Sequence, residues 1–543
     1  MNRPTISSLW FRISSVFLSA VWDGPGNRRK PVLALAILAL LLPAATAKSP
    51  KIGKDLDTKK DAEVDVIVQY RVEPTSTHHD KAAKKGGKRK AELKGAKAEV
   101  YTISAAAVED LANDPDVKYI SPDRAVKAND IYTNDASGAT VAQNYGWTGA
   151  GIGVAVIDSG VAEPPDLDKQ VVYAQSFVQE KADEKYGHGT HVSGIIAGKG
   201  KDSGGKYVGV APGVKIVALR VLDDQGVGTD SQVIAAIDRA IELKTKHNIR
   251  VINLSLGRPV QESYTLDPLC QAVERAWKAG IVVVVAAGNN GRNSATNGYA
   301  TIGSPGIDPF VITVGAMKSM STLGRGDDQI ASYSSKGPTL IDHVIKPDLV
   351  APGNQVISVS TSSKGDSVLA RSFPKNSTQK GYLTLSGTSM AAPAVSGAVA
   401  LLLQKTPSLT PNQVKARLMK TAYKQFPAAT SAVDPVTGAT LTSYYDIFTV
   451  GAGYLDIQAA LANTDLVTTP LTTPLSPRAD YDAATGTVSM VNGASLVWGD
   501  SLVWGSSLVW GSSLVWGNSL VWGDSLVWGN KTMSGFSLVW GSS

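Results

Sequence analysis

Three short motifs carry the residue types needed to turn a serine into a nucleophile. Val156-Ile157-Asp158-Ser159-Gly160 ends an apolar run on a carboxylate, and Gly187-His188-Gly189-Thr190-His191 sets an imidazole between glycines. Gly387-Thr388-Ser389-Met390-Ala391-Ala392-Pro393 places a hydroxyl at the start of a small, apolar stretch. A serine hydroxyl is a weak nucleophile until an imidazole takes its proton, and a carboxylate must hold that imidazole in the right tautomer. A fourth motif, Ala286-Ala287-Gly288-Asn289-Asn290-Gly291, offers the Asn289 amide as a donor to an oxyanion. Together the four describe acyl transfer. Singly, each has a commoner reading: a helix cap at Ser389, turn formers at Asp158 and Asn289, a structural imidazole at His188. His188 and His191, three apart, also raise metal binding, but they lack the HExxH pattern of zinc proteases, and the metal ligands are unknown.

These residues need elements to hold them. Residues 389–404 read as a helix, with Pro393 tolerated in its first turn, so Ser389 sits where unpaired N–H groups and the helix dipole favour negative charge. Residues 188–197, 231–246 and 269–279 read as further helices, and 411–422 and 456–462 close the body. Apolar, β-branched runs at 152–157, 214–219, 249–254, 281–286 and 310–314 read as buried strands alternating with those helices. That alternation predicts an α/β fold, a mostly parallel sheet with helices on both faces. In such sheets ligands bind beyond the carboxyl ends of the strands, where Asp158 falls.

The chain has 543 residues and a formal charge of +6. Residues 1–134 hold 22 Lys and Arg against 16 Asp and Glu, which leaves 31 of each for the rest, so nucleic-acid binding by the main body is not indicated. The single cysteine, Cys270, excludes an intrachain disulfide. Arg28-Arg29-Lys30, the apolar run 32–42 and Ala45-Thr46-Ala47 read as an export signal over residues 1–47, with an uncleaved anchor as the alternative. The expected location is secreted or extracytoplasmic, including the cell surface.

Residues 48–134 read as a small α+β domain, with strands at 64–70, 100–104 and 117–120, a helix at 105–113, and a lysine-rich loop or frayed helix over 78–97. After the body, residues 464–494 read as a Thr/Pro-rich linker. Residues 495–543 repeat Ser-Leu-Val-Trp-Gly-(Ser/Asp/Asn), and the interruption at 531–536 keeps the six-residue phase. An even period puts Leu and Trp on one side of an extended chain. A β-solenoid, a contact surface for the cell envelope or for self-association, and a loose tail all remain open.

In its order of Asp158, His188 and Ser389 the chain resembles the subtilases, the subtilisin-like serine proteases, over roughly residues 145–463. The resemblance implies that Asp158 orients, His188 is general base and acid, Ser389 is the nucleophile, and Asn289 with the Ser389 N–H binds the oxyanion. It implies that substrate lies extended between Ser255-Leu256-Gly257 and Gly226-Val227-Gly228, with Ala286-Ala287-Gly288 as a further wall of a roomy, apolar first pocket. Arg258, where family members often carry glycine, suggests a charge preference at the rim. No cofactor is implied for the chemistry. A structural calcium often accompanies the fold, yet the loop 199–207 is too lysine-rich to read as an oxygen cage. Asp202-Ser203-Gly204-Gly205 mimics the serine motif of another protease class and is assigned to a loop. The domain at 48–134 resembles the subtilase propeptide, an intramolecular inhibitor removed by self-cleavage within 126–134, which leaves 135–463 as the peptidase domain. The expected function is a secreted serine endopeptidase acting on protein or peptide substrates. The alternative is a non-catalytic surface protein using a subtilase scaffold to display the Trp-rich tail.

Overall fold

The computed structural model describes residues 49–58, 62–128, 142–143, 145–178, 183–320, 325–361, 366–379, 381–434, 438–482 and 487–491. The export signal and the hexapeptide repeats lie outside the described residues.

The first folded unit contains β1 (Glu63–Tyr70), α1 (Ser76–Lys84), β2 (Lys88–Leu93), β3 (Ala98–Ser104), α2 (Ala107–Ala112) and β4 (Val117–Pro122). Its four strands form an antiparallel sheet in the order β2-β3-β1-β4. Val66, Val68, Tyr101, Ile103 and Ile120 point into its core with Val108 and Leu111 of α2. The lysine-rich stretch at 78–97 is therefore not a loop: it supplies most of α1 and all of β2. Its polarity hid the strand because β2 is an edge with five of its six residues exposed. Arg89 on β2 and His79 on α1 both reach the buried carboxylate of Glu99, at 2.7 and 2.5 Å, and tie this stretch to β3.

One more strand, β5 (Ala125–Ala128), leaves that unit and is taken up below. The main body follows with β6 (Gly153–Asp158), β7 (Val171–Ser176), α3 (His188–Ala197), β8 (Lys215–Arg220), β9 (Val227–Thr229), α4 (Asp230–Glu242), β10 (Ile249–Leu254) and β11 (Leu256–Gly257). Then come α5 (Pro268–Lys278), β12 (Val282–Ala286), β13 (Ile312–Lys318), β14 (Gln329–Ile330), β15 (Leu349–Asn354), α6 (Thr388–Lys405), α7 (Pro411–Thr421) and α8 (Ile457–Ala462).

The eight-stranded sheet runs β14-β13-β12-β10-β6-β8-β7 with β15 also on β13, and only β14 is antiparallel. All six residues of β6 are buried. Since alternate side chains face opposite sides of a sheet, both faces must be covered. The covering helices contact each other in pairs, α6 with α3 and α4 with α5. Each Val or Ile buried in these strands contributes about 1.5–3 kcal/mol, enough to fix the register that leaves Asp158 at a strand end.

The stretch 464–477 is not a free linker. Leu475 is fully buried, and the Asn412 amide donates to the carbonyls of Thr469, Pro470 and Thr473. Beyond it Arg478–Asp482 and Thr487–Val491 pair as an antiparallel hairpin. Thr/Pro composition reported the lack of regular structure there, and packing against α7 supplied the order that composition does not encode.

Candidate active site

Asp158 is the last residue of β6, and its carboxylate lies 2.8 and 3.0 Å from His188 Nδ1, both side chains being fully buried. Nδ1 facing a carboxylate carries the proton, so Nε2 is the basic end of the ring. His188 opens α3, and Gly189 beside it is sterically required: a Cβ there would lie 2.1 Å from the Gly160 carbonyl oxygen and 3.1 Å from Asp158 Cβ. Ser389 is the second residue of α6, and α6 packs on α3, so hydroxyl and imidazole lie at the starts of two touching helices. The Gly387 backbone that turns into α6 has φ 154°, outside the range side chains favour.

Pro393 lies inside α6 rather than in its first turn. Having no N–H, it leaves the carbonyl four residues back, that of Ser389, without its helical donor. Ser255 Oγ fills that place at 2.8 Å, and Ser389 Oγ in turn donates to the Ser255 carbonyl at 3.0 Å. The helix-breaking proline thus couples the serine to the segment that precedes β11.

Asn289 Oδ1 accepts from the Thr388 N–H at 3.0 Å and from its hydroxyl at 3.1 Å. These bonds fix the amide's orientation, and Nδ2 is left buried with no hydrogen-bond partner among the described residues. A buried orphan donor costs about 1–3 kcal/mol unless something else occupies it. Gly288 N–H donates to Thr388 Oγ1 at 3.0 Å, completing the link between this loop and α6.

β5 runs as the middle strand of a three-stranded antiparallel sheet between β11 and β9. Lys127 pairs with Gly257 and Ala128 with Leu256 on one side, while Val126 pairs with Gly228 and Lys127 with Val227 on the other. Leu256, Gly257, Val227 and Gly228 therefore bracket a segment of the chain's own backbone. Gly226 sits in the turn before β9 at φ 75°, and Ser255 lies against Ser389. Ala286 ends β12, and Ala287 packs with Cys270, Ile302 and Ile307.

One reading of charge changes, and one buried carboxylate is added. Arg258 is not at a rim: its buried guanidinium is held by both oxygens of Asp230, at 2.8 and 3.0 Å, and of Asp267, at 2.9 Å each. Glu184, which no motif flagged, lies behind the Asp–His pair. It accepts from the Gly187 N–H at 2.8 Å and from Ser159 Oγ at 2.9 Å. Burial, reinforced by the Asp158 carboxylate, pushes its carboxyl up to about 7. Only the folded geometry reveals it: besides Gly187 and Ser159 it accepts from the Thr190 N–H at 3.3 Å, and no spacing in the sequence marks it.

His191 donates from Nε2 to the Leu383 carbonyl at 3.0 Å, and burial beside His188 pulls it down to about 3, so it is a neutral structural residue. Among the described residues no group of three or more His, Cys, Asp or Glu could hold a metal ion. The loop 199–207 does not fit a cation: Lys199 Nζ takes the Asp168 carbonyl at 2.5 Å and Lys201 Nζ its carboxylate at 3.3 Å. Asp202 and Ser203, in the decoy motif, form a short 3₁₀ turn ending at Gly204.

The model of the subtilase family matches residues 149–445, more than half of the chain. The serine protease AprX of Bacillus subtilis strain 168 is 39% identical over 308 residues, covering 55% of this chain and 68% of AprX. Subtilisin DY of Bacillus licheniformis is 36% identical over 320 residues, covering 59% of this chain and 93% of its own. Among solved structures, fervidolysin from Fervidobacterium pennivorans, a keratinolytic enzyme related to subtilisin, superposes with a TM-score of 0.59 at 26% identity. That match covers 77% of this chain, which spans 63% of fervidolysin's length. The chain belongs to the subtilase family and is a serine-type endopeptidase.

Proposed function

We propose that the protein is an exported, self-processing endopeptidase in which Asp158, His188 and Ser389 form the catalytic triad and residues 48–134 are its propeptide. The observation that carries this reading is β5: a segment of the chain lies extended between the two edges where a peptide substrate would pair, with Ser255 linking one edge to Ser389. Of the 126–134 window only 126–128 are described; counting one residue beyond Ala128, which pairs with Leu256, we place the cut after Asn129, outside the described residues.

The chemistry follows from the geometry. Ser389 Oγ attacks the substrate carbonyl carbon while its proton passes to His188 Nε2, and Asp158 steadies the imidazolium through Nδ1–H. The carbonyl oxygen becomes an oxyanion, which the Asn289 Nδ2 donor and the N–H of Ser389 at the start of α6 receive. Collapse returns the C=O, breaks the C–N bond, and hands the proton from Nε2 to the departing amine. Water then repeats the attack on the acyl-enzyme, releasing the acid and Ser389. No cofactor enters these steps. Among the described residues no helix is long and apolar enough to cross a membrane. Export rests on the sequence of residues 1–47, and surface attachment or self-association on the repeats at 495–543.

A serine-directed phosphonate tests the catalytic roles. The processed protein should be labelled at Ser389 and lose proteolysis in step with labelling, and His188→Ala should abolish labelling. An unlabelled processed protein that still cleaves casein would overturn the assignment. No observation among the described residues favours the non-catalytic alternative.

A further inference from the structure

Immediately upstream of β5, Arg124 carries the pairing one residue further, its carbonyl accepting from the Asp230 N–H at 2.8 Å. Its guanidinium turns onto Glu262, in the loop between β11 and α5, with NH1 on Oε1 at 2.6 Å and NH2 on Oε2 at 2.9 Å. Glu262 is only 4% exposed, and its one other partner among the described residues is the Tyr119 hydroxyl, at 2.6 Å. Arg124 is also held by Asp55 through two bonds of 2.9 Å.

Arg124, Tyr119 and Asp55 all belong to the N-terminal domain. Glu262 belongs to the peptidase body, yet no side chain of that body neutralises it among the described residues. Arg258, the nearest candidate by sequence, is already matched by Asp230 and Asp267. In the intact chain, where the N-terminal domain covers it, a carboxylate so placed is costly to leave unpaired, and the planar, two-pronged donor of a guanidinium satisfies it best.

We propose that Glu262 is a substrate subsite that selects an arginine one residue upstream of the four residues paired with β9 and β11. The proposal rests on the endopeptidase reading and adds to it a preference for substrates basic at that position. Once the propeptide leaves, Tyr119 and Asp55 go with it. A substrate following the path of β5 then brings its own side chain to the same carboxylate. Charge selection at the cleft thus comes from Glu262 and from no feature of Arg258.

The test uses the processed enzyme and internally quenched peptides spanning residues 121–134, with Arg124 kept, replaced by Ala, or replaced by Glu. The wild-type enzyme should cleave the Arg peptide with kcat/KM about tenfold or more above the Ala peptide, and above the Glu peptide by a wider margin. Within each enzyme the ratio between peptides is the readout: Glu262→Gln should bring it close to one, and Glu262→Arg should reverse it in favour of the Glu peptide. Wild-type ratios within twofold, or an Arg preference surviving Glu262→Arg, would overturn the subsite. Should the variants fail to mature, the three peptides with wild-type enzyme still decide. A chromogenic tetrapeptide, which fills only the positions equivalent to 126–129 and stops short of that of Arg124, separates the two readings. If wild-type enzyme does not hydrolyse it, the endopeptidase reading fails; if it does and the ratios are flat, the subsite alone fails.

Discussion

Asn289 uses its amide twice: Oδ1 is committed to Thr388, while Nδ2 is buried without a hydrogen-bond partner among the described residues. Asn289→Asp separates these uses, because a carboxylate still accepts from Thr388 but presents no N–H to an oxyanion. Turnover should fall by about 10²- to 10³-fold, the range known for the equivalent donor of a subtilisin and so borrowed from this family, with KM little changed. Steady-state kinetics on a short chromogenic peptide measures it; an unchanged kcat would remove Asn289 from oxyanion binding. At this scale the sequence was informative wherever sterics write themselves into composition. Gly189 must be glycine because a carbonyl oxygen leaves no room for Cβ, and such glycines made the His188 motif recognisable. It was uninformative where a partner is distant. Arg258 looked like a surface charge because nothing local announces that Asp230 and Asp267 enclose it, and Glu184 and Glu262 stand in no motif.

The long elements were legible because burial on both faces demands unbroken β-branched runs, as in β6, β10 and β12. The helices carrying His188 and Ser389 came within a residue of their observed bounds. Short elements were not legible. β9 and β11 have three and two residues, and their identity as strands comes from pairing with β5 rather than from their own side chains. The segment after α8 is illegible for the same reason, its order residing in contacts to α7. Lys415 of α7 donates to Ser476 Oγ at 2.8 Å, and Asn412 holds three carbonyls of 469–473. In a Ser389→Ala background, which prevents autolysis, a chain ending at Asn463 should therefore melt about 5 °C or more below one ending at Val491. Equal melting temperatures would mean that 464–491 is only attached, not part of the fold.

Across the whole molecule, buried lysines link stability to pH. Burial pulls Lys415 down to about 7, opposed by Asp348 at 3.0 Å, and it pulls Lys336 down to about 8. An unfolded lysine holds its proton to about 10.4, so between these values the unfolded chain binds more protons than the folded one. Stability must then rise with pH across that window, and the part due to Lys415 starts near pH 7. Melting of the Ser389→Ala chain should rise between pH 7 and 9, and Lys415→Met should make that rise shallower, leaving the parts due to Lys336 and to Lys424, which burial also pulls down to about 7. A Lys415→Met curve parallel to the parent's would show that Lys415 is not the titrating group.

The central claim is that one acid, one imidazole and one hydroxyl act as a unit, first on the chain's own β5 segment and then on other proteins. Intact mass and N-terminal sequencing of the wild-type and Ser389→Ala proteins test it most directly. The wild type should yield a body whose new N-terminus is Asp130, while Ser389→Ala should stay joined through residues 126–134 until wild-type enzyme is added in trans. Normal processing of Ser389→Ala by itself would contradict the account.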